Sequence, residues 1–176
     1  MTPAELGQLQ ERIRDVPDFP KPGIIFKDIT PMLLDAATFR AVIQDFVARA
    51  RTANCTKVAG IDARGFLFGA TVAFELGVGF VPIRKKGKLP SATIGQAYDL
   101  EYGQAEIEIH RDAFASGDRV VLVDDLLATG GTAAAALSLI ERGGAAVTEA
   151  LFLIELAALG GREKLTPHPV HSLLVY

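Results

Sequence analysis

Several things are scarce in this chain of 176 residues, and each scarcity closes off a class of protein. Cysteine occurs once, as Cys55, so no internal disulfide can form, and the expected role of that thiol is a small buried hydrophobe. No run of about 18 apolar residues is present, which excludes a helical membrane span. The opening stretch, MTPAELGQLQERIRD, is polar and charged and lacks the apolar centre of a signal peptide. Positive charge is not in excess: 18 Lys and Arg face 21 Asp and Glu, a formal net charge of −3, which argues against a dedicated nucleic-acid binder. No internal repeat or low-complexity linker is visible. These absences lead to the expectation of a cytoplasmic protein with neither membrane nor nucleic acid as a partner.

What is present suits one folded domain. Hydrophobic residues make up 49% and charged residues 22%, a balance foreign to disordered chains. A chain of this length buries about 70% of its unfolded surface, enough for a core without staples. Thr2 is placed to cap a first helix with Pro3 at its first position, Leu6, Leu9 and Ile13 sharing a face and Pro17 marking the stop. Pro20, Pro22 and Pro31 forbid a continuous helix over the next stretch, leaving 24–26 as the only strand there. Asp35 can cap the next helix, whose apolar stripe is Phe39, Val42, Ile43, Phe46 and Val47. Beyond it the pattern alternates. Strands are expected at 57–61, 80–83, 120–123, 147–154 and 170–176, the last at an edge, and helices at 65–76 and 131–142. This order predicts an α/β fold with an open, mostly parallel sheet flanked by helices. One stretch breaks the alternation. Residues 85–103, KKGKLPSATIGQAYDLEYG, form a long polar segment of the kind that serves as a lid or binding loop, or simply as a mobile hairpin.

The strongest local signal is VVLVDDLLATGGT, residues 120–132. An apolar strand ends in two carboxylates, and a loop of small residues leads into a helix. Ligands of parallel sheets bind beyond the carboxyl ends of the strands. Ala128, Thr129, Gly130, Gly131 and Thr132 let backbone amides approach an anion at the positive end of the helix dipole, with two hydroxyls to assist. A side chain on Gly130 or Gly131 is expected to push a phosphate out. Gly131 stands where a Walker loop needs Lys, and no G-x-G-x-x-G occurs at this turn. Asp124 and Asp125 would repel a bare phosphate, but they suit the hydroxyls of a sugar whose phosphate lies next door. The ligand implied is a phosphorylated sugar.

Residues 120–132 resemble the phosphoribosyl-diphosphate signature of the type I phosphoribosyltransferases. FPKPGIIFKDITP (19–31), GIDARGFLFGA (60–70), IRKKGKLP (83–90), LEYGQAEIEIH (100–110) and LFLIELAALGGREKL (151–165) are similar to the adenine-specific members, in the same order along almost the whole chain. The resemblance implies the type I fold as a single domain over 1–176, with a small N-terminal hood at about 1–34 and a mobile lid at about 85–103. It implies transfer of 5-phosphoribose from phosphoribosyl diphosphate to adenine, giving AMP and pyrophosphate, with Mg²⁺ held mainly by the substrate, and a homodimer.

The resemblance also implies a division of labour. Ala63 and Arg64 would bind pyrophosphate, joined by Arg84, Lys85 and Lys88, some reaching from a neighbouring subunit; for Lys86 a solvated surface role is a serious rival. Asp124 and Asp125 would accept from the ribose hydroxyls and favour a cationic ring, and 128–132 would hold the 5-phosphate. Ile25, Phe26 and Lys27 would form the adenine hood, Phe26 stacking on the purine and the backbone of its neighbours reading its edge, with Leu156 closing the other face. Arg64 and Glu101 would be the catalytic side chains, Glu101 handling the purine proton once the lid excludes water. Two rivals stay open at this stage. One is an enzyme for another base, such as a 6-oxopurine or orotate, against which the hood and Leu-Glu-Tyr-Gly speak. The other is a sensing regulator that has lost catalysis, which would carry a basic DNA-binding module that has no room here.

Overall fold

The computed structural model describes residues 1–100 and 103–176. They divide into two compact units, Met1–Asp45 and Phe46–Tyr176.

The first unit begins with α1 (Pro3–Glu11). Thr2 caps it as expected: its side chain accepts from the Glu5 amide, and Glu5 returns the bond to the Thr2 amide at 2.7 Å. The helix ends well before Pro17, because residues Arg14–Pro17 form β1 and pair antiparallel with β2 (Ile25–Asp28) in the register Val16↔Phe26. Arg14 fastens this ladder by donating to Asp28 at 2.6 Å. A short α2 (Thr30–Leu34) takes Pro31 in its first turn, where the missing N–H costs nothing. Asp35 then caps α3 (Ala36–Thr52), accepting from the amide and hydroxyl of Thr38 at 2.8 and 2.7 Å.

The second unit is built on a seven-stranded sheet. Five strands are parallel: β3 (Lys57–Ile61), β4 (Gly79–Lys85), β7 (Arg119–Leu127), β8 (Ala146–Glu155) and β9 (Val170–Val175). A hairpin of β5 (Thr93–Leu100) and β6 (Gly103–His110) joins antiparallel beside β4. The order across the sheet is β5-β6-β4-β3-β7-β8-β9. Of the segment 85–103, read above as a lid or binding loop or as a hairpin, residues 93–100 are strand in this hairpin. Its small and polar residues are recruited by β6, which pairs with β5 along its whole length, and Arg142 donates to the Gly95 carbonyl at 2.9 Å and to the Gln96 side chain at 2.8 Å.

Two helices connect the parallel strands. Helix α4 (Gly65–Leu76) follows β3, and α5 (Gly131–Arg142) follows β7. Phe68 and Val72 of α4 are fully buried, and burial of this extent contributes about 1.5–3 kcal/mol per large apolar side chain. On α5, Ala136, Leu139 and Ile140 join a core cluster with Ile83, Ile109, Leu122 and Phe152. The chain runs from β3 outward to β4, and then returns to lay β7 on the other side of β3. The point between β3 and β7 is thus the topological switch, where doubly wound sheets open a crevice at the carboxyl ends of the strands.

Candidate active site

A cleft of about 370 Å³ opens at that switch, lined by residues 61–64, 124–133, Lys85 and Tyr98. Its first wall is the turn from β3 into α4. The Asp62–Ala63 peptide is cis, and Arg64 is the N-cap of α4. Gly65 is required here by close approach. A Cβ at this position would lie 2.8 Å from the Val123 carbonyl oxygen and 2.9 Å from Asp124 Oδ1, so only glycine brings the start of α4 onto β7 beside the acid.

The second wall is the end of β7 and its loop. Strand β7 runs past its apolar stretch, through Asp124 and Asp125 to Leu127, because β8 continues to pair with it from Asp124↔Phe152 to Leu127↔Glu155. Both carboxylates therefore ride on a rigid strand. Asp125 is only 5% exposed, and its Oδ2 lies 2.9 Å from Nε of Arg64. Asp124 accepts the Asp125 amide at 2.9 Å. Burial, and then the neighbouring charge of Asp125, hold the Asp124 carboxyl well above the usual carboxylate range. Burial raises Asp125 as well, against the pull of the Arg64 guanidinium.

The loop after β7 reaches α5 through Gly130, the N-cap, whose φ of +78° is in the left-handed region. Among the described residues no side chain caps this helix, so its first amides are left for an anion. A Cβ on Gly130 would lie 2.4 Å from the carbonyl oxygen of Gly161. The residue order alone leads one to expect that a Gly130 side chain expels the phosphate. The structure adds the route: such a side chain strikes protein backbone beneath the loop.

The other expected residues are dispersed around the cleft and beyond it. Lys85 lines the cleft. Arg84 donates from Nε to Asp62 at 2.8 Å and from Nη1 to the Lys88 carbonyl at 3.0 Å, so it ties the turn after β3 to the segment after β4. Lys86 pairs with Glu106 at 2.7 Å on the surface. Ile25, Phe26 and Lys27 lie on β2 in the first unit. There Ile25 is exposed, Phe26 meets Phe19 edge to face at 5.2 Å, and Lys27 pairs with Asp15 at 2.7 Å. Leu156 follows β8 and donates its amide to the Leu127 carbonyl at 2.9 Å, next to the loop. Glu101 lies outside the described residues. Nothing in the sequence singles out Tyr98. Its place opposite α5 depends on the β5–β6 pairing, for which the sequence carries only weak alternation.

The arrangement has a clear chemical reading. Two helix N-termini open on one cleft, with two carboxylates between them. An anion suits each helix, and hydroxyl groups suit the acids.

Comparison with known proteins agrees with this geometry. A family model described as a phosphoribosyl transferase domain matches residues 32–171. The adenine phosphoribosyltransferase of Acidothermus cellulolyticus is 57% identical over 175 residues, covering 99% of each chain. The crystal structure of the Rhodothermus marinus adenine phosphoribosyltransferase superposes with a TM-score of 0.94 at 48% identity, covering 99% of this chain and 100% of that one. The Saccharomyces cerevisiae enzyme, complexed with D-2,5-dideoxy-2,5-imino-altritol 1,6-bisphosphate and adenine, gives 0.93 at 40% identity, covering 98% and 100%.

Proposed function

The chain belongs to the phosphoribosyl transferase family, among its adenine phosphoribosyltransferases, and we propose that its cleft grips phosphoribosyl diphosphate at three points. The reaction moves 5-phosphoribose to adenine and releases pyrophosphate, so AMP is the salvaged product. The N9–C1 bond forms while the C1–O bond to diphosphate breaks, and the electrons of the broken bond leave with the diphosphate. Positive charge develops on the ribose ring, as in glycoside hydrolysis.

The observation that carries the assignment of roles is that the starts of α4 and α5 and the carboxylates Asp124 and Asp125 line one cleft. The α5 start and residues 128–132 hold the 5-phosphate. Asp124 and Asp125 accept from the ribose hydroxyls, and their charge meets the ring cation where water is sparse. The α4 start, with Ala63 and Arg64, receives the diphosphate, and Lys85 adds charge from the facing strand. The ion pair of Arg64 with Asp125 links the leaving-group site to the ribose site before substrate arrives. Mg²⁺ fits as an ion carried in by the diphosphate: Asp124 and Asp125 are hard oxygen donors of the type it takes, and when bound it neutralises the departing charge. Adenine is the base, as in the adenine complex of the yeast relative, and Phe26 with the backbone of Ile25 and Lys27 offers a ring face and an edge suited to it. Glu101 handles the N9 proton. Substrates this highly charged do not cross membranes, which supports a cytoplasmic location, and no helix among the described residues is long and apolar enough to span one.

The test is direct. Protein mixed with Mg²⁺, phosphoribosyl diphosphate and adenine should yield AMP, and hypoxanthine in its place should yield little nucleotide. Product from hypoxanthine alone would overturn the choice of base.

A homodimer is supported by α4. Leu67 and Phe74 are 45% and 83% exposed and stand seven residues apart, two turns along one helix face. Phe74→Glu is expected to shift sedimentation from dimer to monomer. An unshifted dimer would move the interface elsewhere.

A further inference from the structure

Glu155 and residues 160–165 do not line the cleft, yet they form the floor beneath its phosphate loop. Gly161 opens a 3₁₀ turn (Gly161–Leu165), entered through Gly160 at φ +64°. The backbone of Gly161 lies directly against the loop. A Cβ at Gly161 would sit 2.1 Å from the Ala128 carbonyl oxygen and 2.9 Å from the Gly130 amide nitrogen. The contact is mutual, since a Cβ on Gly130 would meet Gly161 at 2.4 Å. Two stretches of bare main chain are thus in contact, and a shift of the turn displaces the loop amides.

The turn itself is held by an ion pair. Arg162 donates from Nε to Glu155 Oε1 at 2.9 Å and from Nη2 to Oε2 of the same carboxylate, a two-pronged bond. Its Nη1 donates to the Val170 carbonyl at 2.8 Å, on β9. Ser172, also on β9, donates to Glu155 Oε2 at 2.7 Å. Glu155 is only 5% exposed and ends β8, where it pairs in register with Leu127, the residue just before the loop. The Arg162 bonds hold its carboxyl below the usual range, so it stays charged at neutral pH. Leu165, fully buried in the cluster that includes α5, anchors the far end of the turn. The same network therefore grips the strand entering the loop, the turn under it and the core beneath the helix leaving it.

We propose that Gly161, held in place by the Glu155–Arg162–Ser172 network, is a positioning unit that sets the loop amides for the 5-phosphate. This rests on the reading of residues 128–132 as the phosphate cradle. None of the three side chains lines the cleft. Their effect passes through the main-chain contact of Gly161 with Ala128 and Gly130. A lysine at 162 keeps the charge but cannot make the planar two-pronged bond, so it should loosen the turn without leaving Glu155 unpaired.

The experiment compares AMP with adenosine, which differ only in the 5-phosphate, in calorimetric titrations of Arg162→Lys, Ser172→Ala, Gly161→Ala and Thr132→Val. Thermal unfolding is followed in parallel. Arg162→Lys should weaken AMP about tenfold, the loss of one charged hydrogen bond's worth of alignment, and leave adenosine within about twofold. The KM for phosphoribosyl diphosphate should rise with kcat nearly unchanged. Ser172→Ala should show the same signature in smaller measure, and Gly161→Ala in larger measure if it folds. Thr132→Val probes the cradle itself and should also weaken AMP selectively. If Thr132→Val weakens AMP while folded Arg162→Lys and Ser172→Ala bind AMP as the wild type does, the positioning role is overturned. If Thr132→Val leaves AMP untouched, the cradle reading fails and the proposal fails with it. Equal losses for AMP and adenosine would mean a general structural role and also overturn it.

Discussion

Replacing Asp124 and Asp125 together by asparagine should lower kcat by about 10²–10³-fold or more, the scale on which preorganised electrostatic groups act. The reason lies in the charge they supply. Asparagine keeps the size and the hydrogen-bonding oxygen, so the ribose hydroxyls still find an acceptor. What is lost is the negative charge facing a ring that turns cationic as diphosphate departs. KM for phosphoribosyl diphosphate should therefore change far less than kcat.

Stability should move the other way for Asp124→Asn alone. Burial, and then the charge of Asp125, push the Asp124 carboxyl well above the ordinary value. The folded protein thus binds a proton more tightly there than the unfolded chain does. Stability falls as pH rises from the ordinary carboxylate range towards the raised value, and the full cost is present above it. Asparagine at 124 removes that cost and still accepts the Asp125 amide, so it should raise Tm at neutral pH and flatten this part of the pH–stability curve. Asp125→Asn gains less, because it also breaks the pair with Arg64. Steady-state kinetics and melting curves over a pH series check both halves. A fully active double variant would remove the acids from the mechanism, and an Asp124→Asn protein that melts lower would contradict the burial argument.

Gly130→Ala is the second large effect. The residue sits at φ +78°, where a Cβ is strained by about 1–2 kcal/mol. It would also drive a methyl into the Gly161 carbonyl at 2.4 Å, and overpacking against main chain costs about 1–3 kcal/mol more. The expected loss of stability is about 2–5 kcal/mol, read from denaturant midpoints. The loop cannot retreat towards the core, since Gly161 is already in contact, so it must lift into the cleft. The KM for phosphoribosyl diphosphate should rise by about tenfold or more, corresponding to at least one lost charged hydrogen bond. A variant with wild-type midpoint and KM would show that the loop has slack that the contact distances deny.

Much of the second unit can be read from the residue order. The strand at Lys57–Ile61 and the helices Gly65–Leu76 and Gly131–Arg142 coincide with the expected ranges, because each is an apolar or Ala-rich run bounded by a small or turn-forming residue. β7 is longer than its apolar run, since pairing with β8 carries it through two acids that strand propensity disfavours. The residues of β1 read locally as the tail of a helix, because the segment that pairs with them begins eight positions further on, at Ile25. The β5–β6 hairpin reads as a loop for a similar reason: Gly95 and the polar residues around it have little strand preference, and only a partner makes them one. Glu155 and Arg162 have no role visible in the sequence, since nothing local reveals that Val170 and Ser172 of β9 hydrogen-bond to them.

Local chemistry in the chain determined which groups are available: an uncapped helix start behind two glycines, twin acids before it, and an arginine at the head of another helix. Those depend on residues adjacent along the backbone, where hydrogen bonding and sterics act over a few positions. Tertiary structure alone decided that they meet. The register that sets Val58 beside Val121 and Gly60 beside Val123 joins segments some sixty residues apart, and that pairing brings Arg64 within reach of Asp125. Burial of the shared core holds the two strands side by side, and no local preference encodes that choice.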